Sequence, residues 1–243
     1  MAENVGLNTM PSQELVFLVQ STTAILFGTY DLRDKLAKAN ILHQTVKQIF
    51  DGDPFLFPIP DNAPNEIPGI VLRSKDDTYQ SIVAPNRVEV TYREKGLPTK
   101  EPSAIRDFYL GILGSFSTVL RSKWNSTIVR LGLVLELISF AEDPVALIVK
   151  NYVREGAIKN PEEIAIHSLS RIKFDELDIN RWCRLSSAKT KNAHGERKVL
   201  QVVFDLNIVP SEGYSFNEDA IIGFYDKALR HSLDSLNLLF PIR

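Results

Sequence analysis

The chain holds one cysteine, Cys183, among 243 residues. A single thiol excludes an intramolecular disulfide framework and any zinc site built on two or more thiolates, and it fits a reducing compartment. Histidine is also scarce. His43, His167, His194 and His231 lie far apart, and no two sit one helical turn from each other as metal-binding pairs do. Neither a metal nor a cofactor is expected. Long apolar runs are missing too: the longest, Leu131 to Ile138, is shorter than a membrane span and is interrupted by Glu136. Met1 to Met10 carries no basic cluster followed by an apolar core, so no signal peptide is read and a cytoplasmic location is expected. No Walker pattern or dinucleotide fingerprint follows an expected strand, and no Gly-x-Ser-x-Gly elbow occurs. These gaps disfavour nucleotide hydrolysis, dinucleotide redox chemistry and serine-hydrolase chemistry, and no catalytic residue is assigned. An excess of positive charge is lacking as well. With 28 Lys and Arg against 30 Asp and Glu, the net charge is −2, so nucleic-acid binding would need a local patch.

What is present is the composition of a folded protein, 44% hydrophobic and 24% charged, long enough to bury a sizeable core. Glu14 to Phe27, rich in Val, Leu, Phe, Thr and Ile, reads as a strand. Asp31 is a candidate cap for an amphipathic helix reaching Phe50. Asp51 to Pro68 holds Pro54, Pro58, Pro60, Pro64 and Pro68, and reads as an extended loop with no regular element. Gly69 to Ser74, Tyr79 to Ala84 and Arg87 to Arg93 form a meander, and Pro102 opens a helix with one apolar side. Gly111 and Gly114 inside that helix are read as points of close approach by a neighbour.

The order then restarts. Thr127 to Phe140 is a strand, and Asp143-Pro144 opens a helix to about Val153. Glu163 to Phe174, Arg181 to Lys189 and Val199 to Val209 give three more strands, the last two joined by a polar loop around Asn192 to Gly195. Asn217 caps a final amphipathic helix. The fold class expected is α+β: two successive β-α-β-β-β-α units, residues 1–124 and 125–243, with antiparallel sheets backed by helices. Helices on one face leave the polar strand positions on the other.

Some local patterns resemble a sporadically distributed prokaryotic family of uncharacterised proteins with a duplicated α+β organisation. They are the opening Pro11-Ser12-Gln13-Glu14, the strand Val129-Arg130-Leu131-Gly132-Leu133 after the first long helix, and the closing stretch through His231, Leu236 and Phe240 to Pro241-Ile242. In that family polar residues usually continue the strand, whereas here Val134, Leu135 and Leu137 do. The resemblance implies the duplicated architecture and no established activity.

The candidate binding residues cluster in the second half. Arg181, Arg184, Lys189, Lys191, Arg197 and Lys198, with Trp182 beside them and only Glu196 opposing, form a basic hairpin suited to phosphate or to an acidic protein surface. A solvated loop explains the same charges. Glu136 stands alone in an apolar strand and, if buried, needs a partner; a place on the open face removes that need. His167 and Asp205 project from outward strand positions, and His231, Asp234 and Lys227 share a helix face. The loop Phe55-Leu56-Phe57-Pro58 either inserts into a partner or folds back on the core. These features favour a non-catalytic binding protein with a protein partner or a second copy of itself. The rival is an enzyme or sensor acting on a phosphorylated small molecule or nucleic acid, with Glu136, His167 or Asp205 as acid–base groups.

Overall fold

The computed structural model describes residues 15–58, 60, 63–154, 157–192 and 195–240. In chain order its elements are β1 (Leu18–Thr29), α1 (Lys35–Val46), β2 (Phe55–Leu56), β3 (Ile70–Arg73), β4 (Tyr79–Ala84), β5 (Arg87–Arg93) and α2 (Pro102–Thr118), which a π-helical turn (Val119–Lys123) continues. There follow β6 (Thr127–Phe140), α3 (Pro144–Tyr152), β7 (Ala165–Phe174), β8 (Leu177–Asn192), β9 (Gly195–Ile208) and α4 (Glu218–Leu239). The strands form one antiparallel sheet in the order β2-β3-β4-β5-β1-β6-β9-β8-β7. The α+β class is as expected. Among the described residues no helix is long and apolar enough to cross a membrane.

The first half holds one strand more than the sequence pattern suggests. Phe55–Leu56, between Pro54 and Pro58, pairs with Val71 and Ile70 of β3 where a structureless loop is expected. Prolines are tolerated here because β2 is an edge strand with one side free of ladder bonds. Helix α1 also begins later than Asp31. The Asp31 carboxylate is taken by the backbone and guanidinium of Arg33, and Asp34 caps instead, accepting from the Ala37 N–H. Asp143 and Asn217 cap α3 and α4 as their sequence positions predict. Strands β8 and β9 run further toward each other than expected, pairing as far as Asn192 and Gly195. The opening Pro11 to Glu14 and closing Pro241-Ile242, as well as His194 and part of the hairpin tip, lie outside the described residues.

All four helices cover the same face. Alternation along each strand sends Ala24 and Leu26 of β1, Leu133 and Leu135 of β6, and Val202, Phe204 and Leu206 of β9 into one continuous core beneath them. Each such fully buried Leu, Val or Phe side chain contributes roughly 1.5–3 kcal/mol. Helices α2 and α4 pack on each other, with Gly114 facing Ile222, whereas a side chain at Gly111 would meet nothing within 4 Å. Of the two glycines only Gly114 marks a close approach.

Two helix tyrosines reach into the sheet itself. The Ala24 N–H donates to the Tyr109 hydroxyl at 2.7 Å, and that hydroxyl donates to the Val90 carbonyl at 2.5 Å. Ala24 and Val90 are register partners, so a hydroxyl from α2 sits within the β1–β5 ladder. On the other side of β1, the Tyr225 hydroxyl of α4 donates to the Ile25 carbonyl at 2.9 Å, next to Gly132 of β6. Both tyrosines are almost wholly buried, and burial pushes both hydroxyls far above the ordinary tyrosine range.

Candidate functional site

The face away from the helices is built from rows of side chains that cross the strands in register. One row runs Arg73, Gln80, Thr91, Thr23, Val134, Asp205, Trp182, Leu169 from β3 to β7. The next runs Arg93, Ser21, Glu136, Val203, Arg184, His167 from β5 to β7. A third includes Glu89, Ile25, Gly132, Asn207, Asn180 and Arg171. These rows place arginines at both ends of the open face, Arg73 and Arg93 at one and Arg184 and Arg171 at the other, with Glu89, Glu136 and Asp205 between them.

The carboxylates of the centre are satisfied by neighbouring side chains. Glu136 accepts from the Ser21 hydroxyl at 2.9 Å and from the Gln201 amide at 2.5 Å, so its place on the open face supplies the partners that a carboxylate in an apolar strand needs. Asp205 accepts from the Asn207 amide at 3.1 Å, and Glu89 takes the Arg87 guanidinium at 2.6 Å. The Arg130 guanidinium lies over the Phe27 ring, 4.1 Å from its centroid.

At the β7–β8 end, Trp182 and Leu169 are cross-strand partners, 41% and 52% exposed, which leaves a continuous apolar patch in solvent. His167 pairs across with Arg184, and Arg171 with Asn180, so cationic side chains flank the patch on both sides. Of the residues singled out in the sequence, the structure brings Trp182, Arg184 and His167 together on this patch. Asp205 adjoins Trp182 through the β8–β9 register. His167 stands three strands from Glu136, about 14 Å at ordinary strand spacing, so the candidate acid–base groups do not converge in one cleft.

Arg181 does not join them. Strand alternation turns it to the helix-covered face, where its guanidinium donates to Ser170 Oγ at 3.0 Å and to Ser235 Oγ at 3.3 Å, and meets His231 Nε2 at 3.2 Å. Burial, reinforced by the Arg181 charge, holds the His231 imidazole below its ordinary pKa. Cys183 faces the same way, and burial pushes its thiol up. The hairpin cations are likewise divided. Lys189 is paired with Glu196 at 2.9 Å, and Lys198 stands opposite Lys189 in the ladder. The Arg197 guanidinium lies 5.6 Å from the Phe140 ring centroid on the open side, and Lys191 belongs to the hairpin tip, paired by backbone register with Glu196.

In the proline-rich loop, Leu56 packs against the core while Phe55 and Phe57 remain exposed and meet edge to face at 4.6 Å. The segment both folds back and presents aromatics. At the opposite end of the open face, Arg73, Gln80, Thr91 and Arg93 gather around a depression of about 270 Å³. None of these four was conspicuous in the sequence, because only the strand register brings them together. Among the described residues, no three His, Cys, Asp or Glu side chains gather in a way that would hold a metal ion. No protein-family model, no curated protein and no solved structure matches this chain.

Proposed function

We propose that this is a non-catalytic binding protein whose open sheet face takes a protein partner, with the Trp182–Leu169 patch at the centre of contact. The observation that carries this reading is the exposed Trp182–Leu169 pair on an otherwise polar strand surface, flanked by Arg184, Arg171 and His167. Tryptophan and arginine are the side chains that dominate binding energy at protein interfaces. Asp205 beside Trp182 is held by Asn207 and Asp178, further along β8, is paired with Lys173, whereas among the described residues Arg184 and Arg171 have no carboxylate within ion-pair distance, so an acidic partner surface is the complement. The exposed Phe55 and Phe57 offer a second contact at the far edge. With the short edge strand β2 set aside, the matching order of connections in the two halves supports reading the chain as two β-α-β-β-β-α units, 1–124 and 125–243, sharing one sheet. That organisation is also what the family resemblance implies.

A photo-crosslinking side chain placed at Leu169, with Leu238 on the exposed side of α4 as control, tests the reading in the native host. A discrete adduct is expected from Leu169, to be lost when Trp182 is changed to Ala. Adducts from Leu238 alone, or equally from both positions, overturn it.

The second reading, a phosphorylated small molecule or nucleic acid held by the hairpin, draws on Lys189, Lys191, Arg197 and Lys198, which follow one another along the β8–β9 ladder toward its tip. It predicts oligonucleotide binding at low ionic strength that disappears when Lys189, Lys191, Arg197 and Lys198 are neutralised. Binding that survives those changes refutes it.

A further inference from the structure

The β3–β5 end of the open face has the composition of an anion site. Arg73 closes β3 and stands across the ladder from Gln80. In the amide orientation that its neighbours require, Gln80 accepts from Nε and Nη2 of Arg73, both at 3.0 Å. This holds the guanidinium in place and leaves Nη1 without a protein partner among the described residues. Thr91 follows in the same row, its hydroxyl fixed by Thr23 at 3.0 Å. Arg93 stands two residues further along β5 on the same face, and its side chain is exposed.

The charges around the depression do not cancel. Lys95 is offset by Asp77 at 3.1 Å, and Asp76 is held by the Ser74 hydroxyl at 2.5 Å. Glu94 is turned toward Tyr92 on the helix-covered side. Among the described residues, neither Arg73 nor Arg93 has a carboxylate within ion-pair distance. Two guanidinium forks, an amide and a hydroxyl around some 270 Å³ suit a small, multiply charged oxyanion, because the planar fork matches phosphate oxygens in geometry as well as charge. The volume sits near the lower end of small-molecule sites.

We propose that this depression binds a phosphate group, with Arg73 and Arg93 gripping its oxygens. The site goes beyond the partner-binding reading above and does not depend on it.

Titration calorimetry of the full chain at low ionic strength, with inorganic phosphate and separately with adenosine monophosphate, tests the proposal. Saturable binding is expected, weakened at least about tenfold by Arg73→Ala or by Arg93→Ala, a loss of about 1.4 kcal/mol. Arg184→Ala is expected to leave it unchanged. Circular dichroism and the thermal midpoint confirm that the variants fold. Affinity for phosphate equal to that for adenosine monophosphate supports the site with free phosphate as its ligand, and tighter binding of the nucleotide supports it with a phosphate carried on an organic group. No binding of either probe, equal weakening by Arg184→Ala, or succinate binding as tightly as phosphate overturns it. If phosphate binding fails while the Leu169 adduct persists, only the anion site falls.

Discussion

Changing Tyr109 to Phe tests whether the hydroxyl set into the sheet is structural cement or an incidental neighbour. The substitution removes one oxygen atom and keeps the ring, so packing against α2 and β1 is retained. It leaves the Ala24 N–H and the Val90 carbonyl, both now bonded to that oxygen, facing each other across a gap in a buried seam. An unsatisfied buried polar group costs about 1–3 kcal/mol, so two of them set an upper range of about 2–6 kcal/mol. Partial closure of the strands, allowing Ala24 to bond Val90 directly, recovers part of this, and a net loss of about 2–4 kcal/mol is expected. For a chain of this length that corresponds to a drop in thermal midpoint of roughly 4–16 °C. Equilibrium urea unfolding measures the loss, and amide exchange at Ala24 reports where it arises, since that proton should lose protection ahead of its strand neighbours. A loss under about 0.5 kcal/mol with unchanged Ala24 protection would refute the reasoning.

Three further predictions concern other parts of the molecule. Gly28→Ala is expected to destabilise by about 1–3 kcal/mol because the new methyl overlaps the Thr127 carbonyl oxygen, whereas at Gly132 the nearest atom is Asn207 Cβ at 3.5 Å. There Ala is expected to be neutral or to stabilise by up to about 1 kcal/mol, and denaturant midpoints for the two variants check the contrast. His231 titrates below its ordinary value in the folded protein, so the unfolded chain binds more protons and stability falls as pH drops through about 6.5. His231→Gln is expected to flatten that decline in a series of unfolding curves, and an unchanged slope would count against the buried Arg181–His231 contact. Trp182→Ala and Leu169→Ser, both at exposed positions, are expected to change stability by no more than about 0.5 kcal/mol, with Trp182→Ala also removing the adduct formed by the crosslinker at position 169; a large stability loss would show that the patch is part of the core.

Much of the fold was legible because the second-half strands carry clean signals. Thr127–Phe140 was bounded as observed, and the alternation of Leu200, Val202, Phe204, Leu206 and Ile208 against Gln201, Asp205 and Asn207 gave the two faces directly. What escaped depended on local competition or distant pairing. The start of α1 shifted because Arg33 captured the Asp31 carboxylate, and β2 was hidden by its prolines. The site was only partly legible. Grouping Arg181 with Arg184 joined opposite faces of one strand; the same period of two that places Cys183 and Leu185 in the core already assigns Arg181 to their side. The Arg73–Arg93 cluster joins residues twenty positions apart on strands that do not touch, and no one-dimensional pattern encodes such a register.

Placing β1 and β6 side by side at the middle of the sheet means that the strands of each half of the chain are bordered by a long strand whose neighbour belongs to the other half. Made as separate polypeptides divided near Asn125, the two pieces would each present an unfilled ladder, lined by Ala24 and Leu26 on one and by Leu131 and Leu133 on the other. The β1–β6 pairing is thus the seam that holds the Trp182 patch and the Arg73 depression on a single surface.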